Sequence, residues 1–141
     1  LTLRAFRCTD IYGWKVAWSD RMISMYGSLL IGGYLYWFIA RYKHVRPFPI
    51  WLIILFILPL AIDGTTHLIS DFAGLTAGFR YTNLWLANLT GHIFRADFYA
   101  GDTFGSFNSW MRIVTGLLFG AGIAGFVFPF IDQSTGHMDS V

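Results

Sequence analysis

Three long apolar stretches leave this chain of 141 residues few ways to fold. Met22 to Ala40 and Ile113 to Ile131 each run 19 residues without a charge, close to the ~20 residues with which a helix crosses hydrocarbon. Between them, Phe48 to Ile62 has only 15 uncharged residues, so a spanning helix must continue through Asp63 and His67 to Ile69. In lipid the backbone has to satisfy its own hydrogen bonds, and a helix does so within one segment. The prediction is an all-α integral membrane protein with transmembrane helices over 22–40, 48–69 and 113–131. Composition agrees: 55% of residues are hydrophobic and only 13% charged, against about 25% charged in a soluble domain.

The connections suggest an orientation. Arg41, Lys43 and Arg46 crowd the short loop 41–47 beside His44, and short basic loops stay in the cytoplasm. Segment 1–21 and connection 70–112 then lie outside and tail 132–141 inside, within a single membrane domain. Against this, Arg4, Arg7, Lys15 and Arg21 make the amino-terminal segment as basic as the loop. The chain begins on Leu1, without the charged-then-apolar order of a signal peptide, and the expectation is that sequence precedes it, with room for a fourth span. In the outer connection, Asn83 is placed to cap a short amphipathic helix carrying Leu86, Leu89 and Ile93, lying at the interface. Around it Phe94, Phe98, Tyr99, Phe104, Phe107 and Trp110 surround Arg95, Asp97 and Asp102, a mixture suited to headgroup depth. A docking surface for another subunit is the alternative.

Chemistry concentrates at the outer end of the second span. On one helix Asp63, Thr66, His67, Ser70 and Asp71 fall at i, i+3, i+4, i+7 and i+8 and form one polar stripe. Pro59, one turn earlier, cannot donate to the Leu55 carbonyl, which predicts a kink. Arg21 and Arg112 precede the first and third spans at the same level, and are expected to pair with Asp63 and Asp71 while Thr66 and His67 hydrogen-bond between helices. A metal-ligand reading of Asp63, His67 and Asp71 is set aside, because the arginines repel a cation, the chain holds no Glu and HExxH is absent. Lone Cys8 supports neither a disulfide nor a thiolate cluster. Dispersed basic residues exclude a nucleic-acid tract. Small residues recur at four-residue spacing, Ser24, Ser28 and Gly32 in the first span and Gly116, Gly120, then Ala121 and Gly125 in the third, as expected where helix backbones approach closely.

Three pieces in order, Gly13-Trp14-Lys15-Val16-Ala17-Trp18-Ser19-Asp20-Arg21-Met22, Pro59-Leu60-Ala61-Ile62-Asp63-Gly64-Thr65-Thr66-His67 and Asn108-Ser109-Trp110-Met111-Arg112-Ile113, resemble the domain-of-unknown-function family 2085. The resemblance implies a small membrane protein of a bacterial or archaeal cytoplasmic membrane, with a further hydrophobic segment upstream. Many members carry cysteines around the arginine matching Arg21, where this chain has Ser19 and Met22, so a thiolate metal or redox site is not implied.

The function expected first is a non-enzymatic membrane subunit, in contact with the lipid bilayer and with other membrane subunits or its own copies, in or beside a larger complex such as an energy-converting one. A proton or small-solute carrier using Asp63 and His67 is the second class. A quinone, haem or pigment protein with His67 as axial ligand is the third. The sequence specifies no cofactor.

Overall fold

A computed structural model describes residues 7–11, 14–74 and 78–136. Strands β1 (Arg7–Ile11) and β2 (Trp14–Trp18) pair antiparallel, with Arg7 opposite Trp18 and Ile11 opposite Trp14. This ribbon is an addition to the expected helices; Ile11, Trp14, Val16 and Trp18 are the branched and aromatic residues that suit a pleated backbone. Residues 1–6 and 12–13 of the same segment, and 137–141 of the tail, lie outside the described residues.

Helix α1 (Asp20–Ala40) starts where Ser19 accepts from the Met22 amide at 3.4 Å, with Asp20 placed favourably in the first turn. Helix α2 (Ile50–Phe72) follows extended Pro49 and continues through Pro59. The last helix, Phe107–Gly136, begins six residues before the uncharged stretch at Ile113, so Arg112 lies inside it. These three helices are long and apolar enough to cross a membrane. Their outward surfaces carry Leu30, Tyr34, Trp51, Ile54 and Leu117, all exposed, as hydrocarbon solvent permits. The interior is correspondingly polar: the side chains buried most completely include Asn83, Asn108, Thr115, Ser106 and Ser109.

The connection between α2 and the last helix holds α3 (Phe79–Thr82), α4 (Leu84–Leu89) and α5 (Ala96–Tyr99), which makes the last helix α6 (Phe107–Gly136). The short helix expected after Asn83 is α4, and α3 and α5 flank it. Asn83 does precede α4, but in the left-handed conformation (φ 45°) and with no capping hydrogen bond. Its amide nitrogen instead donates to the Arg80 and Tyr99 carbonyls, each at 2.8 Å. A helix cap would use the Oδ1 acceptor, and with Nδ2 held on the two carbonyls Oδ1 is left buried without a donor.

Helix α6 is central, packed against both α1 and α2. Along the α1 seam Gly116 faces Ser24, Gly120 faces Ser28 and Gly32 faces Ala124. The Ser24 and Ser28 hydroxyls lie against Gly116 and Gly120; they donate within α1, to Arg21 O at 2.9 Å and Met25 O at 3.0 Å, and also reach the α6 carbonyls of Arg112 at 3.4 Å and Gly116 at 3.5 Å. Ala121, expected among the contact residues, is exposed; Ala124, three residues on, holds the position that the four-residue repeat from Gly116 requires. Gly125 serves the other side, beneath the Phe48 ring, and its carbonyl accepts from the Phe48 amide at 3.0 Å.

Candidate functional site

Asp63, His67 and Ser70 are the buried residues of α2, on one stripe turned toward the rest of the protein. The Asp63 carboxylate is engaged at both oxygens. Arg21, from the first turn of α1, donates to Oδ2, and Arg80, from α3, donates to Oδ1. Arg80 Nη2 also lies 3.3 Å from His67 Nε2; a guanidinium can only donate, so that imidazole nitrogen accepts. His67 Nε2 is 3.8 Å from Asp63 Oδ1, beyond hydrogen-bond reach. Asp63 has a side-chain exposure of 1% and Arg80 of 8%, so this ion pair sits in low dielectric, where losing one partner strands the other charge.

Arg80 is the residue that reasoning from sequence missed. Its backbone amide donates to Ser70 Oγ at 3.0 Å, and its carbonyl accepts from Asn83 Nδ2 and from Asn108 Nδ2, the latter at 2.6 Å. Asn108 Nδ2 also reaches Gly101 O at 3.0 Å, joining α6 to the end of the connection. Gly78 makes the approach possible: a β-carbon there would collide with the Ser70 hydroxyl and carbonyl. The guanidinium carbon stands 5.6 Å from the Phe107 ring centroid, within cation–π range. Burial holds the Arg80 guanidinium below its ordinary value, Asp63 pushes it back up, and Arg112 and Arg21 pull it down; an arginine nonetheless stays charged at accessible pH.

The remaining residues of the expected stripe divide. Ser70 joins the site through the Arg80 amide. Thr66 makes no interhelical bond, because its hydroxyl donates within α2 to Ile62 O at 2.8 Å and Asp63 O at 3.0 Å, as threonine commonly does in helices. Arg112 pairs with Asp102 at 2.8 Å rather than with Asp71, both side chains being 17% exposed. Asp102 is thus a partly buried ion-pair partner of α6. Asp71 is half-buried near the end of α2, outside the Asp63 cluster. On α6, Ser109 donates to Asp20 at 2.7 Å. Among the described residues no group of three or more His, Cys, Asp or Glu could hold a metal ion.

Beside the cluster lies a cavity of about 350 Å³ whose lining includes Leu55, Leu58, Ile62, Met111, Asp63 and Arg80. A larger groove of about 900 Å³ runs between α1 and α6 at the opposite end, past Tyr36, Trp37, Arg41, Phe128 and Asp132. There Tyr36 donates to Asp132 at 2.6 Å and Arg41 lies 3.7 Å over the Trp37 ring.

The residues that build this site fall within a stretch, 4–126, that matches the family model described as a predicted membrane protein, DUF2085. The chain belongs to this family. An uncharacterized protein of the archaeon Methanocaldococcus jannaschii is similar, 36% identical over 59 residues, which is 42% of this chain and 38% of that relative's length. No solved structure matches the chain. As a DUF2085 protein with three candidate spans, it is a membrane protein in contact with the lipid bilayer.

Proposed function

We propose that this DUF2085 protein is a non-enzymatic subunit of a bacterial or archaeal cytoplasmic membrane, packing in or at the edge of a larger membrane complex, energy-converting complexes included. What supports this is the closure of the Asp63 cluster: both carboxylate oxygens and His67 Nε2 are engaged by arginines of the same chain. A carboxylate that moves a proton or solute must exchange partners in each cycle, whereas a clasp keeps them. With its polar stripe turned inward, α2 presents Trp51, Ile54, Leu68 and Ile69 outward, an apolar surface that suits lipid or a neighbouring subunit equally in a bilayer. The test is gentle detergent extraction followed by native electrophoresis and cross-linking. Co-migration with a large complex supports the reading; migration at the mass of the single chain while the large complexes of that membrane stay intact refutes it. The same reading places loop 41–47 in the cytoplasm, so that Lys43→Cys reacts with an impermeant maleimide in inverted vesicles and not in intact cells.

The cavity beside Asp63 and Pro59 supports a second reading, a proton or small-solute carrier. Reconstituted vesicles test it: flux must exist in the wild type and change in Asp63→Asn and His67→Ala. Haem ligation by His67 has less support, since its Nε2 is taken by Arg80, and a featureless visible spectrum of purified protein would exclude it.

A further inference from the structure

Charge in the buried cluster does not balance. Arg112 is matched by Asp102, but Arg21 and Arg80 share the single carboxylate of Asp63, so among the ion pairs of the described residues two guanidiniums meet one acid. A buried charge without a counter-charge is costly in low dielectric, and more so at membrane depth. Hydrogen bonding is incomplete in the same sense: Nε of Arg80 and Nε of Arg21 are buried donors without an acceptor. Asp63 cannot serve them further, because each of its oxygens already holds one guanidinium.

We propose that the 350 Å³ cavity binds a carboxylate-headed ligand, its head on the guanidinium of Arg80 and its apolar body along Leu55, Leu58, Ile62 and Met111. Arg80 lines this cavity, has a side chain only 8% exposed, and carries one of the orphan donors. A planar guanidinium with spare donors matches a carboxylate better than any neutral head, since a charge-assisted pair supplies both the missing acceptor and the missing negative charge. The four apolar walls select a hydrocarbon body over a hydrated ion. A fatty acid from the bilayer has both features; a small water-borne carboxylate has the head alone.

This site stands whether or not the protein belongs to a complex: a solitary chain that binds fatty acid refutes the subunit reading and leaves this one intact. The wild-type protein in a neutral maltoside detergent is titrated with oleate or acetate, each isotopically labelled at the carboxyl carbon, and the carboxyl resonance is followed by NMR, with oleyl alcohol as competitor. The expected result is saturable oleate binding that oleyl alcohol displaces only at a concentration about tenfold higher or more, as befits a charge-assisted head. Leu58→Trp, which fills the apolar wall without touching an ion pair, should weaken oleate about tenfold or more while its melting temperature shows the protein still folded. Acetate should not saturate the site at the concentrations that saturate it with oleate, and acetate binding as tightly as oleate overturns the proposal. Saturation by neither, displacement by oleyl alcohol on equal terms, or unchanged oleate binding in folded Leu58→Trp overturns the proposal.

Discussion

Substituting Gly32→Ala tests the tightest carbon–carbon approach of the α1–α6 seam. A β-carbon at Gly32 would lie 2.5 Å from the β-carbon of Ala124. Two carbons are at their best separation at about 3.5–4.0 Å, so the helices must part there by roughly 1 Å. Neither atom can rotate away, because a β-carbon is fixed to its backbone. Overpacking of this kind costs about 1–3 kcal/mol, offset by roughly 0.5–1 kcal/mol gained when alanine replaces a mid-helix glycine. The expected net loss is about 1–2 kcal/mol, read as a lower unfolding midpoint when detergent-solubilised protein is titrated with sodium dodecyl sulfate. Two controls isolate the cause. A methyl group at Gly27, in the same helix, would have nothing within 4 Å, so Gly27→Ala should be neutral or slightly stabilising. In the double variant Gly32→Ala/Ala124→Gly the methyl group merely changes helices, and stability should return close to the wild type, well above the sum of the two single losses. A Gly32→Ala protein as stable as the wild type, or a double variant that simply adds the two losses, would refute close packing at this seam.

Removing the acid from the central cluster should cost more. Asp63→Asn leaves Arg21 and Arg80 without a counter-charge, and about 3–5 kcal/mol of stability should be lost, measured by the same titration. Adding Arg80→Gln to Asp63→Asn should cost less than the sum of the two changes, because one stranded charge goes with its partner. For the outer connection, Asn83→Ala removes a fully buried side chain whose nitrogen serves two carbonyls and places alanine at φ 45°; limited proteolysis should then cut within residues 79–106 while α1, α2 and α6 stay protected. Gly78→Ala should loosen the same segment, since its methyl group would meet the Ser70 backbone, and faster cleavage than in the wild type is the expected readout.

The solvent in which this protein folds and the spans it uses were legible in the order of its residues, because charge-free length and the needs of a backbone in hydrocarbon are local properties. That Ser24, Ser28 and Gly32 share one face of α1, and Gly116 and Gly120 one face of α6, follows from a four-residue repeat that any straight helix keeps on one side; that the two faces meet each other does not. That Asp63, His67 and Ser70 share a buried stripe is the same periodicity. Which groups from different segments meet was settled by folding in three dimensions. Arg80 joined Arg21 on Asp63 because the turn at Gly78 carries α3 back against Ser70, a return path set by close backbone packing rather than by any pattern in the chain. The Asn83 side chain points its nitrogen at two carbonyls, one of them sixteen positions away, and Gly125 packs beneath Phe48. Spacing along a helix fixes which side chains share a face; the partner on the other side depends on where the connections bring the neighbouring backbone, and in this protein that choice gave the buried acid two arginines instead of one.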